Sequence, residues 1–317
     1  MSTSLTVKSV TNDHVCSWRE WAVVLLSFVK IKISLLVTLT AGEAYILAAG
    51  QTSIHMLLPL TAVFFLACGA SGLNQYQERR TDGLMERTRG RPVPSGKLNP
   101  CTALRISLGL IFWGLSILFF ATGEGATILG IFAVLWYNGV YTFLKRRTAF
   151  AGIPGALAGS IPPVLGWVSG GGSILDPGIG AIAFFFFLWQ IPHGWLLQIV
   201  FERDYKSAGL PCLPEIFRAE QLRGILYVWI MSASTSCLLI PLFVSVHFHA
   251  VQVLLLAGTF WLMLYATRVL KFRSNRMCLE TTFTRLNAYA FAVLLLLSLD
   301  RVLSSGAISL QVMNVRF

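Results

Sequence analysis

Nine apolar blocks, each close to the length that crosses a bilayer, constrain this chain before any other feature. They fall at roughly 33–50, 54–73, 102–122, 126–144, 150–169, 179–201, 223–245, 249–270 and 284–303. Inside lipid every backbone polar group must be satisfied within the protein, so blocks of about 20 residues read as spanning helices. The predicted fold class is an all-α polytopic membrane protein with about nine transmembrane helices. Composition agrees: 12% of the 317 residues are charged, against about 25% in a soluble domain. Gly152, Pro154, Gly155, Gly159, Pro162 and Pro163 interrupt the fifth block. Membrane helices tolerate such residues where they pack on neighbours or line a cavity.

Charge placement orients the bundle. Lys8, Arg19, Lys30 and Lys32 precede the first span, and Arg79 to Lys97 fill the second connection. Lys145, Arg146 and Arg147 occupy the fourth, Arg203, Lys206 and Arg218 the sixth, and Arg268, Lys271, Arg273 and Arg276 the eighth. Connections 51–53, 123–125, 170–178 and 246–248 hold no Lys or Arg. The positive-inside rule puts the N-terminus and the charged loops in the cytoplasm, in a bacterial inner membrane. The net charge of +11 follows from this asymmetry; it attracts anionic lipid and requires no nucleic acid. Three parts are expected: a cytoplasmic segment 1–32, with an amphipathic helix over 17–29, a transmembrane domain 33–303 and a short tail 304–317. Residues 1–16 are polar and mixed, so the first apolar block reads as a retained span, not a cleaved signal. Cys16, Cys68, Cys101, Cys212, Cys237 and Cys278 are scattered without a zinc spacing and read as buried or reduced thiols.

The segment NQYQERRTDGLMERTRGRPVPSG, Asn74 to Gly96, follows the second apolar block. Asn74, Glu78 and Asp82 stand at i, i+4 and i+8, on one face of a helix. An amide and two carboxylates supply the hard oxygens that Mg²⁺ takes when it also holds phosphates. Arg87, Arg89 and Arg91 come next, and guanidinium forks match phosphate oxygens. A second acidic cluster, Glu202 and Asp204, lies at the cytoplasmic end of the sixth span in WQIPHGWLLQIVFERDYKSAGLPCLP. Two such clusters at one membrane depth are expected to converge on a shared Mg²⁺–diphosphate site. A lipid substrate with an anionic head and a long apolar tail suits that position. Metal and arginines would stabilise a departing diphosphate, and a closed site would protect an allylic cation from water.

The Asn74–Gly96 segment resembles the first aspartate-rich motif of the UbiA superfamily of intramembrane prenyltransferases, especially its haem-farnesylating branch. The stretches YTFLKRRT and GALAGSIPPVLGW, within 141–167, and WQIPH with DYKSAGLPCLP, within 189–214, agree with it. The resemblance covers about residues 25 to 300. It implies a nine-helix bundle whose central cavity opens to the cytoplasm and to lipid. It also implies farnesyl diphosphate, Mg²⁺ and a haem b vinyl group that becomes hydroxyethylfarnesyl, with haem A synthase or terminal oxidase assembly factors as partners. By motif, Asn74, Glu78, Asp82 and Asp204 would hold Mg²⁺ and act in catalysis. Arg87, Arg91, Lys145 and Arg146 would bind the diphosphate, Lys206 would lie near the second acidic motif, and Tyr205 beside it would contact the acceptor. This chain departs from the pattern at Glu78 (often Asp), Arg203 (an acid in some relatives), Ala151 (for Asn) and Gly194 (for a larger residue).

Further residues carry two readings each. His193, eleven positions before Asp204, would share its face on a regular helix and lie deep in the bundle. It would ligate haem iron or orient the acceptor, or else bond a neighbouring helix. Glu43, inside the first span, reads as a structural polar contact or as a sign that the span is misplaced, before a catalytic acid. Lys30 and Lys32 reach either the diphosphate or lipid phosphates, the commoner role of such residues. Phe184 to Phe187 read as core or lipid-facing before a prenyl tunnel. His247 and His249 read as solvated in an outer connection. Two other functions stay open: a UbiA-type transferase acting on a quinone precursor or other aromatic ring, and a secondary transporter. Transporters place their sites near the midplane, whereas these acids gather at one membrane face.

Overall fold

The computed structural model describes residues 18–271 and 276–314. Lys8, Cys16, Arg273 and the polar N-terminal stretch lie outside the described residues. Among those described there are fourteen α-helices and no strand. They are α1 (Trp18–Phe28), α2 (Ile31–Ala49), α3 (Leu57–Leu84), α4 (Pro100–Thr122), α5 (Glu124–Val134), α6 (Thr142–Leu144), α7 (Gly152–Ser169), α8 (Pro177–Val200), α9 (Glu202–Ser207), α10 (Leu213–Ile216), α11 (Ala219–Cys237), α12 (Ile240–Phe243), α13 (His249–Lys271) and α14 (Arg276–Asn314). A widened π-helical turn, Leu135–Tyr141, joins α5 to α6. Nine helical segments among the described residues are long and apolar enough to span a membrane. They coincide with the nine blocks of the sequence.

Local signals set the helix starts. Asn99 and Asp176 each accept from the backbone N–H two residues on, Cys101 at 2.8 Å and Gly178 at 2.7 Å. Each is followed by a proline at the first helical position, where no N–H is needed. α7 continues through Pro162 and Pro163, and α8 through Pro192. α1 is the short helix expected before the first span, and Phe28 at its end is fully buried. α14 runs past residue 303 to Asn314.

The largest core gathers α8, α11, α13 and α14, with Phe185 and Phe186 inside it, as core packing predicts. Side chains such as Phe120 and Leu264 point outward on the spans, as lipid-facing residues do. Small residues bring the helices together. A β-carbon on Gly114 of α4 would lie 2.9 Å from Leu66 of α3 and 3.0 Å from the Ala62 carbonyl oxygen. Gly166 of α7 lies flush against the Ala41 backbone of α2. At the other end of the bundle, His247 is more than solvated. Its backbone N–H donates to Asp300 of α14 at 3.0 Å, and the Phe248 N–H donates to the same carboxylate at 2.9 Å.

Gly166→Ala is expected to destabilise the bundle by about 1–3 kcal/mol, because backbone faces the new methyl. Gly180→Ala, with nothing within 4 Å of the site, is expected to stay within about 0.5 kcal/mol of the parent. Thermal unfolding of both variants in detergent checks this.

Candidate active site

α3 has 28 residues, about 42 Å of helix at the standard rise, so its last turns pass the edge of a core about 30 Å thick. Those turns carry Asn74, Glu78 and Asp82, all buried, on one face as their spacing requires. Each is held by a cation from a different part of the chain. Lys30 Nζ donates to Asn74 Oδ1 at 3.1 Å. Lys145 Nζ donates to Glu78 Oε1 at 2.8 Å, and Arg91 donates to Asp82 Oδ2 at 2.7 Å. Three cations thus meet two carboxylates, leaving one positive charge in surplus.

Lys30 gets there through its backbone. It is the one described non-glycine residue with positive φ, at 49°, between α1 and α2. Such a conformation persists where surrounding contacts hold it. Here Gln75 Nε2 donates to the carbonyls of Ser27 and Phe28 at 3.1 and 3.0 Å, anchoring the turn to α3. Burial, then the nearby Arg91 charge, pushes the Lys30 ammonium down to about 8. Lys145 moves the other way. Burial alone would lower it, but the Glu78 carboxylate outweighs burial and holds it above its ordinary range.

The wide turn before α6 sets the opposite wall. Thr142 Oγ1 donates to the Tyr137 carbonyl five residues back at 2.9 Å and accepts from Asn74 Nδ2 at 3.2 Å. Asn138 donates to Gln77 Oε1 at 3.2 Å, and Gln77 Nε2 donates to the Asn138 carbonyl at 3.1 Å. α3 and this turn are therefore fixed at the depth of Glu78. Below it, Thr88 Oγ1 donates to the Asp82 carbonyl at 2.9 Å, folding the loop back so that Arg91 meets its carboxylate.

The remaining expected residues sit as follows. Asp204 Oδ1 accepts from the Glu86 N–H at 2.9 Å, and Ser207 Oγ donates to the Leu84 carbonyl at 3.1 Å. The second acidic segment therefore meets the chain just after Asp82. It does not do so through the helical register expected from His193. α8 ends at Phe201, which leaves helical geometry at φ −106° and ψ 29°, so His193 and Asp204 belong to separate helices. Arg87 lies over the Phe201 ring, 4.6 Å from its centre. Arg146 is exposed and donates to the Gln77 carbonyl at 2.6 Å. Tyr205 is half-buried and lies within the electrostatic reach of Lys145. Lys206 pairs with Glu202 at 2.6 Å on the exposed side.

His193 lies deeper, its ring between those of Trp189 and Phe283, with centres 4.9 and 4.8 Å away. Its Nδ1 is 2.8 Å from Asn287 Oδ1 on α14. Glu43 falls inside the first span, and its buried Oε2 has no hydrogen-bond partner. Among the described residues no three His, Cys, Asp or Glu side chains form a metal cluster; Glu78 and Asp82 stand with the amide of Asn74, and Asp204 does not join them in such a group. Sequence reasoning passed over Lys30 in favour of lipid and missed Thr88 and Thr142. Lys30's place just before the first span was its only signal.

An intramembrane helical bundle with an oxygen-and-cation site at one membrane face defines a class, and comparison with known proteins identifies it. The chain belongs to the UbiA prenyltransferase family, which it matches over residues 35–297. Within that family it is 34% identical to the protoheme IX farnesyltransferase of Oleidesulfovibrio alaskensis over 288 residues, 89% of this chain and 98% of that one. It is 40% identical to the protein of that name from Geobacter sulfurreducens over 67% of this chain and 78% of that one. Among solved structures, its fold is similar to a digeranylgeranylglyceryl phosphate synthase (TM-score 0.73, 16% identity, 89% and 99% of the two chains). It is also similar to a UbiA homolog from Archaeoglobus fulgidus bound to GPP and Mg²⁺ (TM-score 0.57, 15% identity, 87% and 99%).

Two outcomes follow from the geometry. Lys145→Met strands the buried Glu78 carboxylate and is expected to cost about 3 kcal/mol, with more than half recovered by adding Glu78→Gln; thermal unfolding of the two variants checks the pair. Asp204→Ala frees the Glu86 N–H and is expected to speed trypsin cleavage at Arg87 and Arg89 several-fold. Asp204→Asn, whose Oδ1 still accepts, leaves cleavage unchanged.

Proposed function

We propose that this chain transfers the farnesyl group of farnesyl diphosphate to a vinyl group of protohaem IX (haem b), releasing diphosphate and giving haem O. One observation carries the reading. Three buried oxygen donors on α3 each hold a cation, at the membrane edge where a lipid diphosphate would present its head. The relatives' activity, printed in their names, supports the substrate pair.

The donor set fits Mg²⁺, which combines one or two carboxylates with substrate phosphates. Asn74, Glu78 and Asp82 would hold it, with Asp204 Oδ2 at the edge of the site. Bound there, the metal would supply charge that stabilises the leaving diphosphate. Lys30, Arg91 and Lys145 turn from their oxygen partners to the diphosphate, and Arg87 and Arg146 steer it at the entrance. As the allylic C1–O bond breaks, its electron pair leaves with the diphosphate. The vinyl π pair forms the new carbon–carbon bond, and the resulting cation on the adjacent carbon takes up water and loses a proton. The apolar bundle keeps other water from the allylic cation. His193 donates Nδ1–H to Asn287 and offers Nε2 to the haem iron, while Tyr205 borders the site beside Lys145. The positive-inside rule favours a site on the cytoplasmic side of an inner membrane.

Asp82→Ala and Asn74→Ala are each expected to lower turnover by about 10²–10³ while the protein stays in the membrane. Removing divalent metal with EDTA stops transfer, and added Mg²⁺ restores it. Mass spectrometry of haems extracted from cells expressing the chain reads the product directly. Absence of a farnesylated haem would overturn the acceptor assignment, and full turnover by either variant would remove that residue from the site.

A further inference from the structure

A cavity of about 370 Å³ opens between α8, α11, α13 and α14, apart from the three donors on α3. Ile199, Val200, Leu222, Leu226, Val269 and Leu279 form its apolar walls. Arg223 and Arg276 also line it, with Glu202 as the acid in its lining. Glu202 is engaged by Lys206 at 2.6 Å. Arg223 lies 3.9 Å from Glu220, and Arg276 donates to Glu280 at 2.8 Å. Both acids in those pairs are more than half exposed, so water competes with the arginines for them.

An apolar pocket with two guanidinium groups suits a flat apolar ligand that carries two carboxylates. Position points the same way. Val200 lies seven residues beyond His193, two turns along the same face of α8 and about 10 Å on. Arg276 lies eleven residues before Asn287, three turns along one face of α14 and about 16 Å on. The facing sides of α8 and α14 therefore run from the His193–Asn287 contact to this cavity. Phe201 stands between the cavity and the transferase site. Arg276 lies 6.0 Å from its ring centre and Arg87, from the loop after Asp82, 4.6 Å.

We propose that this cavity seats the carboxylate edge of the tetrapyrrole acceptor, with Arg223 and Arg276 binding its two propionates. The inference rests on the acceptor reading above and adds the orientation of the ring. Propionates lie at the membrane edge and the iron lies deeper, toward His193.

The test compares haem b with its dimethyl ester, which keeps the ring and iron but loses both carboxylates. Binding to the full chain is followed by absorbance titration in neutral detergent, so no anionic lipid contributes. The parent protein is expected to bind haem b about tenfold or more tightly than the ester, as charge-assisted hydrogen bonds would require. Arg223→Gln/Arg276→Gln is expected to bind the two equally while holding farnesyl diphosphate as the parent does. If the double variant loses farnesyl diphosphate binding as well, each single variant is titrated and is expected to lose part of the preference. Equal binding of haem b and ester by the parent overturns this inference and leaves the acceptor reading standing. So does a preference that survives loss of both arginines. A parent that binds neither compound overturns the acceptor reading and this inference with it.

Discussion

An ionised carboxylate near the low-dielectric interior of a membrane bundle is costly unless a cation or hydrogen-bond donors compensate it, and this constraint organises the protein around the end of α3. Glu78 and Asp82 are buried, and so is the amide of Asn74. Their partners arrive from the α1–α2 junction, from the residue after α6 and from the loop after α3. The pairing ties four segments together at one depth. It also readies the site for an anion. The cations are already collected and largely withdrawn from water, so a diphosphate exchanges one set of charge partners for another. An isolated ammonium or guanidinium would need desolvation at the moment of binding.

What the sequence made legible follows from periodicity. Blocks of about 20 apolar residues announce membrane helices because the bilayer fixes their length. Spacings of four put Asn74, Glu78 and Asp82 on one face because a helix repeats every 3.6 residues. The pairing of Arg91 with Asp82 was within reach, since only nine residues separate them. Features that depend on a departure from regular backbone were hidden. Lys30 enters the site through a left-handed residue that no local glycine advertises. Asp204 meets the loop after Asp82 from a separate helix, because α8 stops before Phe201, so a regular count of helical turns from His193 does not reach it. Arg87 was legible as a cation but not as the residue that lies over Phe201.

The tight helix contacts follow from residues that look passive in the sequence. Gly114 and Gly166 carry no signal of their own in the sequence. Only the assembled bundle gives each a partner, Leu66 on α3 for one and the Ala41 backbone on α2 for the other. These contacts fix where α2 and α3 stand. They therefore determine whether the Lys30 turn, fastened to α3 by Gln75, meets Asn74 at the right height.

The wide turn at Leu135–Tyr141 has the same standing on the other wall. A π turn places one more residue in a turn than an α-helix does. Without it, every side chain after Tyr141 would rotate by about 100° around the helix axis. Thr142 would leave Asn74, and Lys145, three residues on, would leave Glu78. The stranded carboxylate would then cost about 3–5 kcal/mol. The irregular turn avoids that cost by keeping Lys145 on Glu78. The choice of acid on α3 and the register of the chain sixty residues later are two parts of one constraint.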